Sequence, residues 1–565
     1  QPSPVVTSTY LINEPPTLPV VSVSLPPADF AAVYTNHTDK GVVAVEYFDK
    51  DKQRQFSGDF AGYVVGNWSV DFPQKSLQFD ADEDFGSTGE IEYPLFAPDK
   101  PIGKLHSFRI RNEDDDFTNT RMRDRIVNEL AAPTHAGRAS YRNVTGFING
   151  QYWGHFVARE RLDNYFCRDN YGADPDSVNM VKTHYGLAPY VAEYGTLDDF
   201  IAMSDFIANN DMAVPANFQQ AQQLFDLENF ADYFITEVFV ASTDWLPEFF
   251  NNVRLFKPEK NAPWKFILWD VSVSSGNGSA CTSCDVLADA LNDPFDSRYG
   301  KMFRSLLDNP EFHRHFINRF ADLMNTAFLP ARAHALINAN AAELGPEINR
   351  HDNRWGTGDF NHWSFQVQVL RDFYTQRPAF QRQHIRNHFQ LQNDVNITLQ
   401  VNPPGAGVVK ISTIIPPAFP WTGIYFHGNP VTVTAIPNPG YTFANWSANA
   451  LIQDLNTGTF TADVAGNTAF QANFTGAAQT IPLNISEINY HSDPTRDAGD
   501  WFEIQNTGSL PIDVSDFSVR DEEWFHRFTF PTGTVIPAAG RLVVVEKEGK
   551  FLAENPSVTG FAGPL

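Results

Sequence analysis

The chain has 565 residues, 42% of them hydrophobic and 14% aromatic, which predicts a folded protein rather than a disordered chain. This length predicts about two to four domains. The formal net charge of -26 argues against nucleic acid or an anionic lipid surface as a partner. No run of about 18 apolar residues occurs, so no transmembrane segment is predicted. The chain begins at Gln1 without a signal-peptide pattern, and we interpret it as a mature extracellular or cell-surface form or as a trimmed chain.

The first predicted elements form an α+β domain over residues 19–392, after an N-terminal extension over 1–18. Strand-like runs such as "GVVAVEYFD" and "WKFILWDVSV" mix with helical segments such as "RMRDRIVNELA" up to about residue 280. From about 285 to 392, apolar residues recur at three- and four-residue spacing, which predicts helices. These helices are too aromatic to stand alone, so we assign them to the same domain as its C-terminal helical portion.

Two small all-β modules of sandwich type are predicted after Gln392. The first, over 393–476, shows short alternating strands with Pro and Gly punctuation, as in "PVTVTAIPNPGYTFANWS". The linker "TGAAQT" leads to the second, over 480–565, which contains "DWFEIQNTGSLPIDVSDFSVRD". The predicted fold is therefore multidomain, with one α+β domain followed by two β modules.

The chain has three cysteines, too few for a disulfide scaffold. "CTSC", with Cys281 and Cys284, follows a Gly/Ser loop, and the pattern is compatible with a redox pair, half a zinc site or a small disulfide. No second Cys or His pair lies at zinc-finger spacing, so the disulfide is favoured. Cys167, in a helix-like segment, is expected to be an unpaired and mostly buried thiol.

"YRNVTGFINGQYWGHFVARERLDNYFCRDNYG" resembles the Asn-Gly-x-Tyr-Trp-Gly signature of CotH-type proteins, a family of atypical secreted or surface-associated kinases. Supporting segments follow the family order: "FPQKSLQF", "FRIRNEDDDFTNTRMRDRIVNEL", "ASTDWLPEFFNNVRLF" and "WKFILWDVSVSSG". The resemblance runs from about residue 18 to 390. The 394–475 module is similar to secreted bacterial β-repeats, and 480–565 resembles a lamin-tail domain. CotH and lamin-tail domains recur together in bacterial surface and secreted proteins.

The resemblance implies an ATP-dependent phosphotransferase that uses Mg²⁺ or Mn²⁺, and it assigns roles to particular residues. Phosphoryl transfer requires a cation for the phosphates, metal ligands and a carboxylate that orients the attacking hydroxyl. Lys75 would contact the phosphates, and Asp244 would be the catalytic carboxylate. Asp270 would be the main metal ligand, together with Asn251 or Asn252. Lys75, Asp244 and Asp270 are therefore expected to point into one pocket.

The signature stretch itself combines a structural prediction with an open one. Asn149-Gly150 predicts a hairpin turn. Glu160 and Arg161 lie where the following strand would reach a cleft. Glu160 would contact the nucleotide or position Lys182, which we include in the predicted nucleotide site, or it would form a cleft-edge salt bridge.

Three departures from the family pattern leave catalysis open. Ser272 stands where a second acidic residue is common, Gln74 replaces one of two paired lysines, and Val65 replaces a basic residue. The first hypothesis is a kinase that phosphorylates a protein Ser/Thr or another extracellular acceptor. The alternative is a catalytically degenerate CotH-fold surface protein that acts in adhesion or in matrix or appendage assembly, with surface-layer or matrix components as partners.

Two acidic runs are interpreted as exposed. Asp80, Asp82 and Asp84 alternate as in a calcium loop, but the Gly and Glu that an EF-hand needs are absent, so an exposed acidic strand face is favoured and a structural Ca²⁺ stays an open alternative. "NEDDDF" is interpreted as a solvated turn before a helix. The strand "RLVVVEKE" is expected to lack a neighbour, which predicts a longer surface polypeptide with further modules.

Overall fold

A computed structural model of the protein describes residues 8–15, 17–35, 39–100, 102–183, 189–246, 251–490, 498–515, 517–520, 527–546 and 548–563. Within these ranges, no helix combines the length and the apolar character needed to cross a membrane.

A closed barrel of seven strands, in the order β1-β2-β3-β4-β5-β7-β6, forms the first part of the α+β domain. The parallel pairing of β1 with β6 closes it. Strand alternation places Phe79 and Phe108 in the barrel core, so Gln78 and Arg109 lie on the outer face. The strands are β1 (Val20–Ser24), β2 (Gly41–Phe48), β3 (Arg54–Val65), β4 (Ser76–Asp80), β5 (Ser107–Arg111), β6 (Tyr141–Ile148) and β7 (Gln151–Glu160), and the helices between them are α1 (Pro27–Thr35) and α2 (Arg123–Leu130).

The predicted hairpin turn joins β6 to β7. Asn149 and Gly150 have φ values of 49° and 75°, which is the conformation that this turn requires. Gly154 has a φ of 103°, and a Cβ at this position would lie 2.7 Å from Trp355 Nε1. Phe156 is fully buried in the barrel core. The aromatic and glycine residues of the signature stretch therefore have a structural role in the β6–β7 hairpin.

The second part of the α+β domain packs helices around a four-stranded sheet of order β11-β10-β8-β9. The large core between them is rich in aromatic side chains. The helical portion predicted over 285–392 is confirmed. The strands are β8 (Asn179–Thr183), β9 (Tyr190–Tyr194), β10 (Arg254–Lys257) and β11 (Lys265–Ile267); the helices are α3 (Asn164–Tyr171), α4 (Asp198–Asn209), α5 (Pro215–Leu224), α6 (Leu227–Phe239), α7 (Val286–Asn292), α8 (Arg298–Leu307), α9 (Pro310–Met324), α10 (Pro330–Trp355) and α11 (Phe360–His388).

The C-terminal part consists of β modules, which confirms the predicted fold class. The first module has sheets of order β14-β12-β18-β16 and β13-β15-β17, and the second has β19-β20-β25-β26, β21-β24 and β22-β23. The strands of the first are β12 (Asp394–Asn402), β13 (Gly407–Ile411), β14 (Trp421–Phe426), β15 (Val431–Pro437), β16 (Tyr441–Trp446), β17 (Thr459–Ala462) and β18 (Thr468–Gly476). The second contains β19 (Leu483–Asn489), β20 (Trp501–Asn506), β21 (Ile512–Asp513), β22 (Ser518–Arg520), β23 (Arg527–Thr529), β24 (Val535–Ile536), β25 (Arg541–Val545), α12 (Glu548–Glu554) and β26 (Phe561–Ala562).

The expectation that "RLVVVEKE" lacks a neighbour is wrong. This segment forms β25, which pairs with β20 on one side and with β26 on the other. The pairing with β26 depends on the last described residues folding back beside β25, which the strand's own sequence does not indicate.

The first β module packs directly on α9. Asp322 of α9 accepts hydrogen bonds from the Thr413 N–H at 2.9 Å and from the Tyr425 hydroxyl at 2.6 Å. Asn325 donates to the Ile424 carbonyl at 3.0 Å and accepts from the Ile424 N–H at 3.1 Å. One continuous hydrophobic core runs from the helices into the module. The module is therefore fixed to the α+β domain by buried polar and apolar contacts.

The cysteine predictions are confirmed. Cys281 and Cys284 form a disulfide, and Cys167 is a buried free thiol in α3. Arg377 of α11 donates to the Thr282 carbonyl at 2.9 Å and to the Cys284 carbonyl at 2.7 Å, so the disulfide loop is also held by a buried guanidinium.

Candidate active site

Asp244 and Asp270 lie together at the junction of α6, β10 and β11. Asp244 follows α6, and Asp270 follows β11 by three residues. The Asn252 side chain lies between them: its Nδ2 donates to Asp244 Oδ2 at 2.8 Å and to the Asp270 main-chain oxygen at 3.2 Å. Asn252 and Asp270 have φ values of 52° and 59°. Such left-handed conformations in non-glycine residues cluster at functional sites.

The two carboxylates have different ionisation behaviour. Burial and the nearby Asp270 charge raise the pKa of Asp244 to about 6. Burial also opposes ionisation of Asp270, but Arg111 and Arg159 outweigh it and hold the Asp270 pKa below its usual value. Arg111 Nη2 donates to Asp270 Oδ1 at 3.0 Å. At neutral pH, Asp270 is therefore a stable anion, and Asp244 is close to its own titration point.

A third acidic group comes from the loop between β5 and α2. Asp114 also accepts from Arg111, at 2.9 Å, and burial together with the Asp270 charge raises the Asp114 pKa to about 7. Glu113 is 2% exposed and Asp116 is fully buried, so the interpretation of "NEDDDF" as a solvated turn is wrong for these residues. Contact with a segment more than 150 residues away buries the loop, and the local sequence does not show it.

Lys75 does not join this group. Its Nζ donates to the main-chain oxygens of Val70 and Phe72, the latter at 3.2 Å, and it lies 5.7 Å from the centre of the Tyr34 ring. In the described part of the chain, Lys75 has no hydrogen bond or ion pair with Asp244 or Asp270. Among the described residues, hydrogen bonds therefore link Asp244 and Asp270 through Asn252, but they do not link Lys75 to either aspartate.

Glu160 and Lys182 are not brought together. Glu160, which is 3% exposed, accepts from Lys100 Nζ at 2.8 Å and from the Ser140 N–H at 2.7 Å. Lys182 pairs with Glu193 at 2.8 Å. The suggestion that Glu160 positions Lys182 is wrong, and the salt bridge weighed against it is present with Lys100 as its partner.

A group of basic side chains, here called the arginine cluster, faces the same region. Each of four members has a carboxylate partner: Arg111 with Asp270, Arg159 with Asp124 at 2.8 Å, Arg161 with Asp80 at 2.8 Å, and Arg254 with Glu193 at 2.6 Å. The fifth member is Arg109, whose Nε donates to Gln78 Oε1. Apart from Arg161, these residues were missed in the sequence, although "FRIRN" places two of them on one face of a strand.

Two of the sequence departures lie at buried positions. Gln74 is fully buried, and its Nε2 donates to the Trp153 and His155 carbonyls, each at 3.0 Å. Ser272 is 2% exposed, and its carbonyl accepts from Asn277 at 3.0 Å. Gln74 therefore stabilises β7 through hydrogen bonds to its main chain.

The acidic strand face predicted around Asp80 is wrong at that residue. Asp80 is 4% exposed and accepts from the Tyr63 hydroxyl at 3.0 Å, besides pairing with Arg161. Asp82 accepts from the Asp84 N–H at 2.9 Å and caps a short turn of 3₁₀ helix. Across the described ranges, no group of three or more His, Cys, Asp and Glu side chains is arranged to hold a metal ion, including calcium at this run.

Comparison with known families identifies the main domain. The family model described as "CotH kinase protein" matches residues 63–381, which is more than half of the chain. The chain belongs to the CotH kinase family. Within this CotH protein, residues 397–478 match the divergent InlB B-repeat domain and 477–562 match the lamin tail domain. We refer below to the CotH domain, the B-repeat module and the lamin-tail module.

No curated protein matches the sequence. Among solved structures, the chain is similar to the one titled "Crystal structure of the golgi casein kinase", with 9% sequence identity and a TM-score of 0.21 over 65% of this chain and 74% of that one.

Proposed function

We propose that the CotH domain transfers the terminal phosphoryl group of ATP to a hydroxyl acceptor, with a protein Ser/Thr as the acceptor class. The observation that supports this most is the placement of Asp244 and Asp270 around the Asn252 amide, beside the arginine cluster. Phosphoryl transfer depends on positioning and on charge stabilisation, and this arrangement supplies a carboxylate near its titration point, an ionised carboxylate and several cations.

Asp244 is proposed to orient the attacking hydroxyl and to accept its proton. A general base is most effective when its pKa lies close to the working pH, and the Asp244 pKa of about 6 meets this condition. Asn252 holds the carboxylate through Oδ2 at 2.8 Å, which restricts its orientation. The acceptor hydroxyl would therefore meet a fixed carboxylate oxygen.

Asp270 is proposed to hold Mg²⁺ or Mn²⁺ together with Asn251 or Asn252. The donor set fits a hard cation, since carboxylate and amide oxygens are the ligands these ions prefer, and Mg²⁺ keeps several waters and needs only one or two carboxylates. Besides burial, repulsion by the Asp270 charge raises the pKa values of Asp244 and Asp114, and a divalent cation would relieve this repulsion. When bound, the metal would neutralise charge on the transferred phosphate.

The modules suggest where this chemistry takes place. We propose an extracellular or cell-surface location, with a surface protein as the acceptor, because B-repeat and lamin-tail modules accompany the CotH domain. The domain limits of 19–392, 393–476 and 480–565 remain our proposal.

The test is a calorimetric titration of the whole chain with ATP, with and without Mg²⁺ or Mn²⁺, followed by transfer assays. We expect metal-dependent binding, which Asp270→Asn removes and Asp244→Asn keeps. Asp244→Asn should fail to transfer phosphate. A wild-type chain that binds no nucleotide in the presence of either metal would contradict the proposal and favour a non-catalytic surface role.

A further inference from the structure

We propose that Arg109 is the principal phosphate-binding cation beside Asp270, the role that the family resemblance implies for Lys75. This inference rests on the proposed function, because it names a residue for the nucleotide phosphates.

The surroundings of Lys75 argue against a role in binding phosphate. Its ammonium group is already bound by the main-chain oxygens of Val70 and Phe72. Lys75 directly precedes β4 and has the same alternation as Leu77 and Phe79, which pack inside the barrel. Its side chain therefore leaves the chain on the side opposite to Gln78. To bind a phosphate, the Lys75 amine would have to break both of these hydrogen bonds.

Arg109, in contrast to Lys75, is placed where it can bind an anion. It lies on the outer face of β5, and its Nε donates to Gln78 of the neighbouring strand. In the described part of the chain, its two Nη groups have neither a hydrogen-bond partner nor a carboxylate within ion-pair distance, and the residue is half-buried. Gln78 fixes the orientation of the guanidinium and leaves its outer edge free.

The charge around Arg109 is unbalanced. Every other member of the arginine cluster has a carboxylate partner. Arg109 lies directly opposite Arg159 in the β5–β7 pairing, and like charges at such positions repel. Burial and the neighbouring arginines lower the pKa of Arg109 to about 9. An anion bound at the free edge would relieve this repulsion.

Phosphate fits this site better than a single carboxylate does. A guanidinium offers two parallel N–H groups to two oxygens of one phosphate, and the bonds are strengthened by charge. Arg111, two residues further along β5 on the same face, binds Asp270 at 3.0 Å. Two residues of a strand span roughly 7 Å. Arg109 is thus near the proposed metal ligand and close enough to hold another phosphate of the same nucleotide.

The experiment compares Arg109→Gln with two control variants in the whole chain. Lys75→Met removes the residue first expected at this site. Arg54→Gln removes one charge from the same barrel, at a side chain that is 50% exposed and pairs with Glu46. Binding of a non-hydrolysable ATP analogue, adenosine and inorganic tripolyphosphate is measured by calorimetry with Mn²⁺, and circular dichroism checks that each variant is folded.

We expect Arg109→Gln to weaken binding of the ATP analogue and of tripolyphosphate by about 10- to 100-fold, the usual effect of losing hydrogen bonds to a charged group. Adenosine binding should stay the same. Arg109→Lys should recover part of the loss, and both controls should bind within about twofold of wild type, since neither removes such a bond.

Three results would overturn the assignment. The first is a folded Arg109→Gln variant that binds the ATP analogue as wild type does. The second is a loss with Lys75→Met that exceeds the loss with Arg109→Gln. The third is a wild-type chain that binds neither tripolyphosphate nor nucleotide. If tripolyphosphate binds through Arg109 but nucleotide does not, the anion site stands and the proposed kinase function fails.

Discussion

Arg111 donates a hydrogen bond to Asp270 across 3.0 Å, although 159 positions separate the two residues in the chain. The pair joins the outer face of the barrel to the segment after β11. It also keeps Asp270 ionised, because the guanidinium holds the Asp270 pKa below its usual value against the effect of burial.

The first prediction concerns this pair. Arg111→Gln should raise the Asp270 pKa, so more of the carboxyl is protonated at mildly acidic pH. We expect Mn²⁺-dependent nucleotide binding to fall by about tenfold at pH 6 relative to wild type and to recover towards wild type at pH 8. Calorimetry at both pH values measures the nucleotide affinity in the presence of Mn²⁺. Arg138→Gln, which breaks an Arg–Asp pair with Asp99, is the control and should show no such pH dependence. An equal loss at both pH values would contradict the electrostatic role.

The second prediction concerns pH and stability. Glu237 in α6 is 1% exposed, and burial raises its pKa to about 8 from the ordinary 4.5. Above pH 4.5 the folded chain keeps a proton that the unfolded chain releases, so the stability from this group is complete below pH 4.5 and is lost as pH rises through 8.

Glu237→Gln should remove that dependence. We expect the variant to exceed wild type in unfolding free energy by about 4 kcal/mol at pH 8 and by about 1 kcal/mol or less near pH 5. Urea denaturation at the two pH values is the measurement. If the variant is less stable than wild type at pH 8, the hydrogen bonds of Ser242 and Tyr233 to the Glu237 carboxylate outweigh the effect of burial, and the prediction is wrong.

The third prediction concerns the attachment of the B-repeat module to α9. Tyr425→Phe removes the hydroxyl that donates to buried Asp322 at 2.6 Å and leaves that acceptor with one partner fewer. The unfolding free energy should fall by about 1 to 3 kcal/mol. Tyr441→Phe in the same module is the matched control, because Tyr441 is half-buried and its hydroxyl has no hydrogen bond in the described residues. Its effect should be within about 0.5 kcal/mol. Equal effects would show that the Tyr425–Asp322 bond does not stabilise the junction.

The fourth prediction concerns the disulfide. Replacing Cys281 and Cys284 together by serine should cost about 2 kcal/mol or less, because the closed loop is very short. The bonds from Arg377 to the Thr282 and Cys284 carbonyls should keep the loop in place. Thermal unfolding of the double variant, with Cys167→Ser as a comparison, checks this. A loss of folding on removal of the disulfide would show that Arg377 is not sufficient.

The parts of the site that follow directly from local patterns could be predicted from the sequence. The Asn149-Gly150 turn depends only on residues that accept positive φ. The resemblance to the family, rather than a local pattern, selected Asp244 and Asp270, and the structure links the two through Asn252. The alternation of apolar residues also indicated the α+β domain and the β modules.

The remaining features depend on contacts between distant segments. Lys75 and Gln78 are three residues apart on a strand, so they face opposite sides, and the motif alone does not show which side forms the cleft. Asp114 is buried because Arg111 and Asp270 meet beside it. Arg109 lies in the family segment that begins "FRIRN", but its proposed role depends on the lack of a carboxylate partner among the described residues, which only the structure shows.

The measurement that tests the central claim most directly is the affinity of the whole chain for ATP with and without Mn²⁺, for wild type and Asp270→Asn. If Asp270 holds the metal that binds the phosphates, Mn²⁺ should tighten ATP binding to wild type by at least about tenfold, as expected for charge-assisted contacts to phosphate. The variant, which stays neutral at this position, should bind ATP equally with and without the metal. Metal-dependent ATP binding of equal strength in both proteins would contradict the assignment of Asp270 and the catalytic site built around it.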